Sequence, residues 1–272
     1  MKRLVVILCA VALLSACTTS PTGRRQLMLV SPETAIVESQ KAYLSTTKQL
    51  DEEGKLVTDP QTSARVAEIT GRLVTVAVQK FPKTADWEWS VAIIDDPETV
   101  NAWCMAGGRM AVYTGLFEKL DLSDDEFAQI MGHEISHALA NHTAERMSRA
   151  MATTAGIVAV GIAVEDHRIA AMGAAAAAAK LALELPNSRT AESEADRMGM
   201  ELATLAGYKP EAAVSLWQKM GAEGGGSRPP EFLSTHPAPG NRQADLGAMV
   251  PEMKQKNPNR TRAAVHPVQI ME

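Results

Sequence analysis

His133 and His137 stand four residues apart with Glu134 beside the first, and Ser123-Asp124-Asp125-Glu126 opens the same stretch. Serine followed three residues later by glutamate is a capping box, the mark of a helix start. Phe127, Ile130, Met131 and Ile135 continue it at helical spacing. The spacing therefore predicts one helix carrying both histidines. Residues four apart on a helix share a face, so both imidazoles reach one point, and Glu134 falls within the same third of the circumference. Two imidazoles so placed suit a divalent metal, with a carboxylate at hand for an adjacent water. As mere core residues they would bury polar groups in an apolar stretch without partners, which is costly. The helix is expected to be central, and the chain must bring it a further ligand.

The N-terminus sets the context. Lys2 and Arg3 precede an apolar run, residues 4–14, that is too short to span a bilayer. It ends in Leu14-Ser15-Ala16-Cys17, which resembles a bacterial lipobox. Residues 1–16 are then a lipoprotein signal peptide and Cys17 the lipidation site. Several acyl chains on one residue anchor far better than a single myristate. Thr18 stands where inner-membrane retention shows Asp, which points to the periplasmic face of the outer membrane. Residues 17–30 are expected to form a flexible tether. Cys9 leaves with the leader and Cys17 carries lipid, so Cys104 has no partner for an intrachain disulfide. Stability must come from a core. Loss of Lys2 and Arg3 shifts the formal net charge from −5 to −7, and no basic run is present, which excludes nucleic acid as a partner.

The pattern is α+β, mostly helical with one small sheet. Ser31-Pro32 and Asp59-Pro60 open two helices, the first spaced by Ile36, Val37, Tyr43 and Leu44. Trp87, Trp89, Val91 and Ile93 alternate as a strand, and residues 101–105 and 109–113 flank Gly107-Gly108 as a hairpin. Residues 151–185 are Ala-rich and expected as a helical hairpin. Residues 31–250 form one domain, and the polar 251–272 stretch reads as a loose tail.

The His-Glu-x-x-His pattern is that of zinc peptidases. A metzincin needs Gly at 140 and His at 143, where this chain has Ala140 and Thr143. His142 lies half a turn from His133 on a continued helix and reads as a surface or capping residue. The alternative is a carboxylate on a second helix. Glu192 and Asp196, four apart, offer one ligand and one acceptor for a ligand imidazole's second nitrogen. Glu194 is rotated away and is expected to face solvent.

The capped motif followed by Glu192-x-x-Ala195-Asp196 resembles the gluzincin zinc endopeptidases of the HtpX, OMA and CAAX-prenyl-protease group. Asn101-Ala102 with Gly107-Gly108 and Gly115-Leu116 is similar to that group's Asn-Ala…Gly-Gly…Gly-Leu segment, although its usual proline before the glycine pair is Ala106 here. Thr235-His236-Pro237 with Arg242 is similar to its Thr-His-Pro…Arg motif. The resemblance covers about residues 30 to 250 and is closest to the periplasmic lipoprotein members. It implies a zincin-type domain with one Zn2+ held by His133, His137 and Glu192, Asp196 behind a ligand histidine, and Glu134 as general base. It also implies an edge strand at Asn101, Ala102 and Trp103 that takes an extended peptide. His236 either restrains the metal, polarises the scissile carbonyl or is a plain loop residue. Arg242 either stabilises the oxyanion or braces the loop. The function implied is degradation of unfolded or misassembled envelope proteins. The competing class is a zinc-stabilised periplasmic chaperone or assembly factor with minor or self-inhibited proteolysis.

Overall fold

A computed structural model describes residues 17–163, 188–223, 230–236 and 241–271. The expected leader and the larger part of the Ala-rich hairpin lie outside the described residues.

Helix α1 (Pro32–Glu52) begins at Ser31, whose hydroxyl accepts the Thr34 N–H, and α2 (Pro60–Lys80) begins at Asp59 in the same way. The inward stripe of α1 is Ala35, Ser39, Tyr43 and Thr47, whereas Val37 and Leu44 are exposed. Tyr43 decides this stripe. Its ring meets Trp103 edge-on at 5.9 Å, and Arg109 lies over it.

Strands β1 (Cys17–Thr19) and β2 (Arg25–Leu27) form a small antiparallel hairpin. Strands β3 (Ser90–Ile94), β4 (Ala102–Met105), β5 (Arg109–Tyr113) and β6 (Gln269–Met271) form a mixed sheet in the order β4-β5-β3-β6. β4 and β5 are the antiparallel hairpin that the glycine pair predicts, with Gly107 and Gly108 at φ +83° and +79°. β3 runs parallel to both of its neighbours. It is shorter than the predicted strand because Trp87 and Trp89 pack on each other, and Trp89 Nε1 donates to the Thr84 carbonyl. Val91, Ile93, Met110 and Val112 face one core and Ala92, Ile94 and Ala111 the other, so the sheet is covered on both sides.

The remaining helices are α3 (Gly115–Leu120), α4 (Asp124–Leu139), α5 (His142–Ala163), α6 (Arg189–Leu205), α7 (Ala212–Glu223), α8 (Glu231–Thr235) and α9 (Arg242–Lys256). The capping box of α4 is complete, with Ser123 and Glu126 each bonding the other's backbone N–H. Residues 126–139 of α4 are buried almost all round, so it is the central helix. It crosses α6 at two glycines. A Cβ on Gly132 would meet the Gly199 carbonyl oxygen at 2.7 Å, and one on Gly199 would meet His133 N at 2.6 Å. This backbone-to-backbone approach brings the acids of α6 against the histidines of α4.

Two segments expected to be loose are ordered. Residues 20–26 dock against α5 and α6, with Gln26 buried and bonded to the Ala140 carbonyl at 2.7 Å. Beyond α9 the chain returns along α2, where the His266 N–H donates to Gly71 O and Thr75 donates to Ala264 O, before ending as β6. The ordered fold therefore continues past residue 250, with β6 pairing the free side of β3.

Glu126 supports a stability prediction. Burial opposes its ionisation, but Lys219, Ser215 and Ser123 hold its carboxyl below the usual range. A depressed carboxylate contributes stability above the unfolded value of about 4.3, and that contribution is lost as pH falls through the lower folded value. Glu126→Gln is expected to lower Tm at pH 7, with the gap to wild type closing below about pH 4. A gap that stays constant from pH 7 to 3 contradicts this role.

Candidate metal centre

His133 and His137 point from one face of α4 to a common centre, with their Nε2 atoms 3.0 Å apart. The close α4–α6 crossing places Glu192 opposite them, Oε2 at 3.4 Å from His133 Nε2 and Oε1 at 3.5 Å from His137 Nε2. His236, just after α8, completes a buried group in which all four ligand-type atoms lie within 4.8 Å of one another. Both Glu192 oxygens and Glu134 Oε1 are buried without a hydrogen-bond partner. Orphaned carboxylate oxygens facing imidazole nitrogens suit a cation, and the N/O donor set suits zinc.

Burial resists ionisation of Glu192, yet His133, His236 and Arg242 keep it below the carboxylate range. Burial would depress His133, but Asp196 and Glu192 raise it to about 9. Burial drives His137 well down and takes His236 to about 3. His137 and His236 are thus held neutral and Glu192 ionised, as ligation requires, whereas His133 is held as the imidazolium by its acidic neighbours and gives up that proton when a cation takes its place. Burial also pushes Glu134 up to about 8, the direction expected of a carboxyl that must carry a proton in turn.

Asp196 Oδ1 lies 3.0 Å from His133 Nδ1, on the far side of the ring from Glu192. Arg242 donates to that same Asp196 oxygen at 2.5 Å and to the His236 carbonyl at 3.3 Å, and its guanidinium lies 3.6 Å over the Trp217 ring. Buried in this way it braces Asp196 and the His236 loop, and its Nη2 also lies 3.4 Å from Glu192 Oε2, beside the centre. His236 lines the cleft, with Nε2 3.4 Å from Glu134 Oε1.

The cleft runs between the β4 edge and α4, along Asn101, Ala102, Trp103 and Cys104. Asn101 Oδ1 accepts the Ala102 N–H at 2.9 Å while its amide donates to Glu231, so one donor of the edge is already used.

Two residues depart from expectation. His142 is buried, its Nδ1 2.7 Å from His137 Nδ1, because α4 stops at Leu139 and Asn141 adopts φ +56°. The chain turns before His142 and carries it back over the site. Glu194 is buried rather than solvated, bonded by His142, Thr22 and Arg24.

Residues 60–250 match the profile of Peptidase family M48. The chain belongs to that family. M48 proteins are zinc metallopeptidases, and among curated relatives the chain is 35% identical over 167 residues to the mitochondrial metalloendopeptidase OMA1 of Arabidopsis thaliana, covering 61% of this chain and 32% of the relative. It is 30% identical over 242 residues to the mitochondrial metalloendopeptidase OMA1 of Bos taurus, covering 85% of this chain and 45% of that one. The beta-barrel assembly-enhancing protease of Escherichia coli is 26% identical over 215 residues, covering 76% and 42%. This M48 chain thus spans about a third to a half of the length of these relatives. Among the described residues no helix is long and apolar enough to cross a membrane.

Proposed function

We propose that this M48 metallopeptidase is an endopeptidase of the bacterial envelope, tethered by lipid on Cys17 at the periplasmic face of the outer membrane and acting on unfolded or misassembled proteins. The observation that carries the reading is the convergence of His133, His137 and Glu192 at the end of a cleft whose wall is a sheet edge. A zinc ion held by these three residues supplies Lewis acidity, polarising a scissile carbonyl and acidifying water. Glu134 takes the proton from the attacking water and delivers it to the leaving amine nitrogen. The unpaired side of β4 aligns an extended peptide by backbone hydrogen bonds, chiefly through its carbonyls, since the Ala102 N–H is engaged. A folded protein cannot present such a strand, which is the physical reason for a preference for unfolded substrates. Exposure of Cys17 and the lipobox before it support the anchor.

His236 faces both Glu134 and the metal ligands, and this supports restraint of the resting enzyme by occupation of the cleft end. The test offers wild type and His236→Ala the same disulfide-rich protein in its native form and in its reduced, unfolded form. Cleavage of only the unfolded form, faster in His236→Ala, is expected. Equal cleavage of the native form overturns the strand-addition reading, and a slower His236→Ala assigns that histidine to carbonyl polarisation instead.

A further inference from the structure

His137 has an acid behind it at one remove. Both Glu194 oxygens already accept, Oε1 from Thr22 and Oε2 from Arg24, so the hydrogen of the 3.1 Å contact to Oε2 sits on His142 Nε2. A neutral imidazole protonated at Nε2 has a bare Nδ1. That atom lies 2.7 Å from His137 Nδ1, and with His142 as the acceptor the hydrogen sits on His137 Nδ1. The His137 lone pair is left on Nε2, the atom 3.0 Å from His133 Nε2 and 3.5 Å from Glu192. Donor and acceptor roles run in one direction from Glu194 to the centre, and with both rings neutral only one tautomer of each satisfies them. His133 obtains the same arrangement directly from Asp196.

The far end of this chain is held by the segment next to Cys17. Thr22 Oγ1 donates to Glu194 Oε1 at 2.5 Å and Arg24 Nε to Oε2 at 2.8 Å. Arg24 is fixed in turn by a two-pronged contact to Glu145, at 2.9 and 2.6 Å, and Glu145 also takes Gln26 Nε2 at 3.0 Å. Glu145 and Glu194 are both buried, and the Arg24 guanidinium pairs with both, with Arg149 as a second cation on Glu145.

We propose that His142 and Glu194 are positioning residues that hold His137 in its metal-binding tautomer, and that the docked N-terminal hairpin locks them through Thr22 and Arg24. This rests on the reading of His137 as a zinc ligand. Outward-facing partners of metal-bound histidines contribute roughly 10–100-fold in metal affinity. Here one of them is reached through a second imidazole and is completed by residues next to the proposed anchor, so metal loading is coupled to docking of that segment.

The test is competition between a chromophoric chelator and the mature chain for zinc, with Tm of each metal-free variant recorded beside it. His142→Ala and Glu194→Gln are expected to weaken zinc binding roughly 10–100-fold, and Arg24→Ala to weaken it in the same direction. His142→Asn, whose Oδ1 replaces Nδ1 as acceptor, is expected to recover most of the loss, which a purely structural role would not produce. In zinc-loaded wild type, nitrogen-15 shifts of His137 are expected to show a protonated Nδ1 and a metal-bound Nε2. If His137→Ala loses zinc but His142→Ala and Glu194→Gln bind it within about twofold of wild type, the ligand reading stands and the relay is overturned. If His137→Ala binds zinc as wild type does, the ligand assignment itself fails. If His142→Asn folds but binds no better than His142→Ala, or His137 coordinates through Nδ1, the relay is wrong. Unchanged zinc affinity in Arg24→Ala removes the hairpin from it.

Discussion

Glu134→Gln is expected to abolish cleavage of an unfolded protein such as casein while leaving fold and zinc content intact. The loss should be at least roughly 10²–10⁴-fold, the span that a positioned general base contributes. The argument is geometric first. Glu134 belongs to the same face of α4 as the histidines but is not one of the four residues whose ligand atoms cluster. An amide can therefore replace it without removing a ligand. The carboxyl is buried to the point that its proton affinity rises to about 8, so a neutral isostere costs the fold nothing. Gln cannot take a proton from water, and no other described carboxylate lies at that point of the cleft. A variant that keeps casein cleavage within about tenfold of wild type would place the base elsewhere. One that loses zinc as well would mean that Glu134 is a ligand. A wild type that binds zinc yet cleaves nothing, even with His236→Ala, favours the chaperone class.

Gly199→Ala should unsettle both the fold and the centre. Its Cβ would fall 2.6 Å from His133 N and 2.8 Å from Gly132 C, atoms of a buried backbone that cannot rotate aside. The helices must separate by several tenths of an ångström, and overpacking of that kind costs about 1–3 kcal/mol. For a chain of this size each kcal/mol lowers Tm by about 2–4 °C. The more specific consequence concerns the metal. Glu192 and Asp196 reach His133 only because α6 lies against α4 at this crossing, so zinc affinity should fall together with stability. Gly221→Ala, in a helix where an added Cβ finds only Gln243 Nε2 at 4.0 Å, is the control; it should leave zinc affinity unchanged and should not lower Tm. If Gly199→Ala melts and binds zinc like wild type, the crossing is looser than described.

Much of the centre is written in local sequence. Ser123 and Glu126 announce the helix, His133 and His137 share its face, and Glu192 and Asp196 repeat the four-residue spacing on a second helix. Local signals of this kind need no knowledge of the fold. The losses are all non-local. His142 reads as pointing away on a helical wheel because the wheel assumes a straight helix, and nothing in Ala140-Asn141 announces the left-handed turn at Asn141. Glu194 reads as solvated because its partners, Thr22 and Arg24, come from a polar segment about 170 residues away with the composition of a tether. Gly132 and Gly199 gain meaning only when two helices meet. A glycine directly before the first histidine of a capped helix was the available hint, since glycine inside a helix usually has a packing reason. Arg242 was visible as a candidate, but its contacts to Asp196, Glu192 and Trp217 emerge only in the fold. The terminal strand was hidden because three residues at the end of a polar stretch carry too little pattern to outweigh the asparagines and prolines before them.

Zinc-edge X-ray absorption on the purified protein loaded with one equivalent of zinc tests the central claim most directly. The account predicts only nitrogen and oxygen neighbours at about 2.0–2.2 Å, with imidazole scattering that loses one ring in His137→Ala. A sulfur neighbour at about 2.3 Å, the distance of a thiolate such as that of the buried Cys104, or a shell without imidazole, would contradict it.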